Sequence, residues 1–135
     1  IATLAQAAER GGADAVVAIN TLKGMAISPE ARTPVLANKV GGLSGPAIRP
    51  VGVRCVYEIY ESVRLPIIGV GGIGSGRDAL EYLMAGATAV QIGTALWTDG
   101  PEVFNKVCKE LLGFMEENGY ESVKDLVGVA HSARH

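Results

Sequence analysis

Residues 67–73, Ile67-Ile68-Gly69-Val70-Gly71-Gly72-Ile73, read as a strand that breaks into glycines before a helix opens. Small β-branched residues at this density favour a strand buried on both faces, as in a parallel sheet. The glycines allow a ligand to approach the backbone closely. Such a junction suits a phosphate, because a helix N-terminus presents unpaired N–H groups and the positive end of the macrodipole, with no basic side chain required. A tight βα turn with no ligand explains the same residues. A second stretch of this kind, Gln91-Ile92-Gly93-Thr94-Ala95, lies at the end of the next apparent strand and favours the functional reading.

Working outward, Ser75 and Asp78 resemble a capping box for a helix marked by Leu80, Leu83 and Met84 and stopped at Gly86, with Asp a shorter partner than the usual Glu or Gln. Ala87 to Ile92 reads as the last strand. After Asp99-Gly100-Pro101, a longer helix places Phe104, Val107, Cys108, Leu111 and Met115 on or near one face. Gly119 interrupts it, and Ser122 to Val127 reads as a short helix with Ser122 and Asp125 as a second capping box. Upstream, a helix starts near Pro46 and Pro50, carries Val53, Val56, Tyr57 and Tyr60 at helical spacing, and ends before Leu65-Pro66.

At the start of the chain, Ile1, Leu4, Ala5 and Ala8 share one face of a helix already under way at the first residue, as expected for part of a longer protein. That helix ends at Gly11-Gly12, and Ala13 to Ile19 reads as a short buried strand. Leu22 to Gly45 is a long connection with Pro29, Pro34 and several glycines, in which Pro34 to Ala37 offers a short extended piece suited to a hairpin. Connections of this length are usually functional or disordered.

The run Gly12-Ala13-Asp14-Ala15-Val16 recurs as Gly86-Ala87-Thr88-Ala89-Val90, each time between a helix end and a strand. Three successive βα units imply a parallel sheet, and the right-handed crossover rule leaves an open sheet or part of a barrel. A complete (β/α)₈ barrel takes about 250 residues. The 135 residues here would supply something over a third of its strands, those nearest the C-terminus.

Composition narrows the function. With 48% hydrophobic residues and a net charge of −2, the chain can bury a core but carries no global basic field for nucleic acid. No apolar run approaches the roughly 20 residues of a spanning helix and no signal-peptide layout opens the chain, so a soluble cytoplasmic protein is expected. Cys55 and Cys108 fall in helical patterns away from other metal ligands and read as small core residues. His131 and His135 read as solvated tail residues.

In open parallel sheets and barrels alike, ligands bind at the C-terminal ends of strands. Asn20 and Thr21 end the first strand, Gly71 and Gly72 the second, Gly93 and Thr94 the third. The asparagine amide and threonine hydroxyl suit a flat polar ring with imide or carboxylate groups, although a turn or cap accounts for them as well. No His, Cys, Lys or carboxylate stands at these strand ends, so the chain offers no evident general base or nucleophile. Lys23 and Lys39 read as solvated loop residues.

Together, residues 18–25, residues 37–48, Ile67 to Ile73 and Gln91 to Ala95 resemble the C-terminal part of dihydroorotate dehydrogenase, most closely the class 1B, NAD-linked catalytic subunit. Gly41 to Pro50 is the most family-specific segment. The resemblance implies a (β/α)₈ barrel with FMN at its C-terminal mouth, oxidising dihydroorotate to orotate in pyrimidine biosynthesis. By the same resemblance Ile19 and Gly45 lie near the flavin, and Asn20 and Thr21 hydrogen-bond the substrate. Gly71, Gly72, Gly93 and Thr94 hold the FMN phosphate through backbone N–H groups. The family's catalytic cysteine base and its flavin-contacting lysine fall upstream, so no catalytic residue is expected in this chain and the chain alone is expected to be inactive. The resemblance further implies a homo-oligomer and an electron-transfer subunit carrying FAD and an iron–sulfur cluster. Other phosphate-gripping barrels, such as isomerases or nucleotide dehydrogenases, and an inactive part-barrel scaffold, are the alternative readings.

Overall fold

A computed structural model describes residues 1–132. Helix α1 (Ala2–Arg10) leads into β1 (Val16–Ala18), then α2 (Arg49–Tyr60), β6 (Ile67–Val70), α3 (Gly76–Met84), β7 (Ala89–Gln91), α4 (Thr94–Asp99) and α5 (Glu102–Asn118). Between β1 and α2 run four short strands: β2 (Leu22–Gly24), β3 (Ile27–Ser28), β4 (Thr33–Pro34) and β5 (Gly41–Leu43). The main sheet is parallel, in the order β1-β6-β7, with Val16 opposite Ile67 and Ile68 opposite Ala89. This is the expected run of βα units.

Sequence dictates which faces are covered. On α3, Gly76, Ala79, Leu80 and Leu83 recur at three- and four-residue spacing and are buried with Tyr82. On α2, Gly52, Cys55, Val56 and Ile59 do the same. These helices and α5 enclose Ile67, Ala87, Val103 and Val107 in the larger core, and burying one such branched side chain contributes about 1.5–3 kcal/mol. A second core joins Leu80, Leu83, Met115 and Leu126, closing the C-terminal 3₁₀ turn Val123–Leu126 against α3 and α5. The Ser122–Asp125 capping box is present in full.

Several expectations require correction. The 22–45 segment is ordered and antiparallel rather than disordered: β2 pairs with β5, and β3 with β4, giving two ribbons nested in sequence. Pro34 to Ala37 contributes only its first residue to a strand. Cys55 is buried as expected, but Cys108 is exposed on α5, and Phe104 is half exposed on the same face. His131 is no solvated tail residue. Its ring stacks on Tyr57 at 3.7 Å between centroids, and its Nε2 lies 3.0 Å from the Ala85 carbonyl. His135 lies outside the described residues. The first and last strands are also less buried than a sheet covered on both faces requires. Only the central β6 alternates fully buried residues, because β1 and β7 each have a neighbour on one side alone.

Those two edges carry a consequence for the isolated chain. Val17 on β1 is 56% exposed, and Ile1 before α1 and Leu4 on it are exposed beside it. Unpaired strand edges with apolar flanks template association. Sedimentation of residues 1–135 alone is expected to show self-association at micromolar concentration; a stable monomer under those conditions would contradict the open-edge description. Among the described residues no helix is long and apolar enough to cross a membrane.

Candidate functional site

The C-terminal ends of β1, β6 and β7 converge on a cleft of about 500 Å³, within the range of about 300–1,000 Å³ typical of small-molecule sites. Ile19, Thr21, Gly45, Gly71, Gly72, Gly93 and Thr94 all line it, with Ser44, Ile48 and Trp97. Seven of the eight residues singled out from sequence are therefore brought together. The eighth, Asn20, lies at the end of β1 beside an apolar groove shared with α1. Its Oδ1 accepts from the Thr21 N–H at 2.8 Å and from the Thr21 hydroxyl at 3.4 Å.

A smaller pocket of about 190 Å³ adjoins the cleft and shares Gly45, Gly72 and Thr94 with it. Glycine is required where these loops meet. Gly72 has φ +70°, and a Cβ there would sit 2.6 Å from the Gly45 carbonyl oxygen and 3.0 Å from Pro46 Cα. Gly71 has φ +134°, and its Cβ would press on the Tyr82 hydroxyl and on Ile48. Gly93 differs: its φ is −117° and a Cβ there would meet open space. Thr94 Oγ1 donates to Ser44 Oγ at 2.8 Å, tying the two loops across the mouth.

The N-terminus of α3 is not the free anion site expected from sequence. Its donors are taken by side chains: Gly74 N–H by Asp78 Oδ2 at 3.0 Å, Gly76 N–H by Glu110 Oε2 at 2.6 Å, and Asp78 N–H by Ser75 Oγ at 3.1 Å. The half of the capping box that Asp78 should close is thus redirected to Gly74, since the shorter side chain serves the residue before the cap. The free donors lie one step earlier and across the cleft. Among the described residues no protein acceptor faces the N–H groups of Gly72, Ile73, Gly93 or Thr94.

Charged side chains fix the turn from behind. Arg49 Nη1 pairs with Asp78 Oδ1 at 2.6 Å, which offsets a carboxylate that would otherwise oppose an anion beside Gly72. Lys106 Nζ donates to the Gly74 carbonyl at 3.0 Å. Neither was legible in advance, because Arg49 and Lys106 come from other helices and no local spacing marks them. Arg77, although adjacent in sequence, is exposed.

Tyr82 is the other residue that sequence reasoning missed. It is fully buried, and its hydroxyl donates to the Gly71 carbonyl at 2.7 Å. Burial pushes this phenol up to about 12 from an ordinary value of 10.0. Between those values the unfolded chain releases a proton that the folded chain retains. The stability tied to the neutral phenol is therefore complete below about pH 10 and is lost as pH rises towards 12. Urea unfolding of the complete protein should show a steep alkaline fall in stability that Tyr82→Phe flattens. An identical fall in the variant would assign the titration to another group.

Parallel βα units whose strand ends hold two backbone-lined turns over one cleft define a segment of a (β/α)₈ barrel. The comparisons agree on the fold: the chain superposes on DHODH from Eimeria tenella, solved in complex with ferulenol, with a TM-score of 0.81 and 31% identity over 98% of this chain and 35% of that one. A profile of the dihydroorotate dehydrogenase family matches residues 1–115, and the chain belongs to that family. It is 53% identical over 132 residues to the dihydroorotate dehydrogenase B (NAD(+)) catalytic subunit of Methanothermobacter thermautotrophicus. It is 55% identical over 130 residues to the protein of the same description from Thermoplasma acidophilum. These matches take in 97% and 96% of this chain but only 44% and 43% of the relatives, so the chain spans less than half their length.

Proposed function

We propose that residues 1–135 are the C-terminal portion of a single FMN-binding (β/α)₈-barrel domain. The complete protein is, on this reading, an FMN-dependent dihydroorotate dehydrogenase that oxidises dihydroorotate to orotate in pyrimidine biosynthesis. The observation that carries this reading is the meeting of Gly71, Gly72, Gly93 and Thr94 in one cleft, where the N–H groups of Gly72, Gly93 and Thr94 have no acceptor among the described residues. A dianionic phosphate fits that donor set, since each N–H left unpaired by the protein can serve one of its oxygens. The two open sheet edges and the share of the relatives' length support the assignment to part of a barrel.

When bound, FMN supplies the hydride acceptor. The chain's own residues bind and orient. Gly71, Gly72, Gly93 and Thr94 form the phosphate cradle, and Ile19 and Gly45 line the space beside the flavin ring. Thr21 and Asn20 hydrogen-bond the pyrimidine. Because the Asn20 carbonyl oxygen is engaged by Thr21, its amide NH₂ is the group left to donate to a substrate carbonyl. No general base is assigned within this chain, and the base is placed on a part of the barrel outside it. The words "catalytic subunit" in the relatives' descriptions support a partner. We assign that partner FAD and an iron–sulfur cluster, and place the complex in the cytoplasm as a homo-oligomer of the catalytic chain.

The test is orotate formation from dihydroorotate, followed by ultraviolet absorbance, with the complete protein and an electron acceptor. Orotate production that requires FMN is expected. A protein that holds FMN but makes no orotate would point to another flavin-dependent barrel.

A further inference from the structure

The peptide between Gly71 and Gly72 is trans, so its carbonyl and its N–H point in opposite directions. The carbonyl end is fixed: Gly71 O accepts from the Tyr82 hydroxyl at 2.7 Å, while Val70 O lies at 3.4 Å from the same group. Tyr82 has no freedom to move away. It is fully buried, and its ring fills the space that side chains on Gly52 and Gly69 would take; a Cβ on Gly69 would lie 2.5 Å from the ring. With the carbonyl held towards the core, the Gly72 N–H is turned the other way, to the side on which Gly72 lines the cleft. A glycine pair has little intrinsic preference for one orientation of the peptide, so without an anchor this unit can flip.

We propose that Tyr82 is a positioning residue for phosphate binding, its hydroxyl holding the Gly71–Gly72 peptide in the one orientation that aims the Gly72 N–H at the anion. The inference rests on the phosphate reading above and extends it to a residue that touches neither cofactor nor substrate. The hydroxyl is the sole polar atom of an otherwise apolar side chain, and a phenylalanine packs identically without it. A merely structural tyrosine would affect all flavins alike. A positioning tyrosine affects only those with a phosphate.

The experiment compares FMN with riboflavin, which lacks the phosphate, on the complete apoprotein of wild type and Tyr82→Phe, by fluorescence quenching on titration. Wild type should bind FMN far more tightly than riboflavin. The variant should lose on the order of tenfold in FMN affinity, with riboflavin affinity changed less than about twofold, as expected for one preorganising hydrogen bond. The ³¹P resonance of bound FMN should also shift in the variant. Equal losses for both flavins, or none for either, would overturn the positioning role while leaving the phosphate site intact. A wild type that binds the two flavins equally would instead remove the phosphate reading, and this inference with it. Should Tyr82→Phe fail to fold, incorporation of 3-fluorotyrosine at position 82 keeps the ring and makes the hydroxyl a stronger donor. An unchanged ³¹P resonance and an unchanged FMN-to-riboflavin ratio in that protein would overturn the proposal.

Discussion

Gly72→Val in the complete protein is expected to abolish FMN retention, whereas Arg77→Ala is expected to keep most of it. The ranking follows from the cleft. A side chain at Gly72 has to displace the Gly45 carbonyl and Pro46 backbone, and it is strained at φ +70° in any case. Both loops that line the cleft are then pushed apart. Arg77 is exposed, and a solvated charge of this kind contributes no more than about 1 kcal/mol. Because Gly72→Val also perturbs the backbone, Gly93→Val separates folding from binding. At that position a Cβ meets open space, so the protein should fold with near-wild-type thermal stability yet lose FMN affinity at least tenfold. Flavin content per chain after gel filtration reads both variants. A folded Gly93→Val protein with a full complement of FMN would move the phosphate away from this pair of turns.

The second large effect is on turnover. Asn20→Ala should reduce dihydroorotate oxidation by the complete protein by roughly five- to 150-fold, the kinetic equivalent of losing a buried hydrogen bond of about 1–3 kcal/mol. FMN content should not change, since Asn20 lies apart from the Gly71–Gly72 and Gly93–Thr94 turns. Thr21→Val should weaken turnover as well, by removing a hydroxyl proposed to hydrogen-bond the pyrimidine and by freeing the Asn20 carbonyl oxygen from one of its two donors. Steady-state kinetics with the flavin content measured on the same samples would check both. An Asn20→Ala enzyme of wild-type rate would take Asn20 out of the site.

Much of the architecture was legible because it rests on strong local signals. Gly71-Gly72 after an apolar strand and Gly93-Thr94 after the next mark strand ends, and strand ends in a parallel sheet converge on one mouth. The ribbon from Leu22 to Leu43 was legible only as a hairpin piece at Pro34 to Ala37, not as its two paired ribbons. Its strands are two or three residues long, and two of the three residues of β5 are glycine, so neither alternation nor β propensity distinguishes them from a loop. Cys108 was misplaced for a different reason. Helical periodicity identifies a stripe but not how wide it is, and Phe104 and Cys108 stand on the side of α5 that no described element covers. His131 looked like a tail residue because its partners, Tyr57, Tyr60 and the Ala85 carbonyl, come from α2 and the end of α3. Tyr82 and Arg49 share that origin. Each bears on the Gly71–Gly72 turn from a helix distant in sequence, and nothing in their immediate neighbours announces it.

The most direct test of the central claim is an absorbance spectrum of the complete protein after gel filtration, recorded before and after anaerobic addition of dihydroorotate. A stoichiometric flavin, released as FMN on denaturation and bleached by dihydroorotate, is the predicted result. A colourless protein reconstituted under excess FMN, or a bound flavin that dihydroorotate leaves unbleached, would contradict the account.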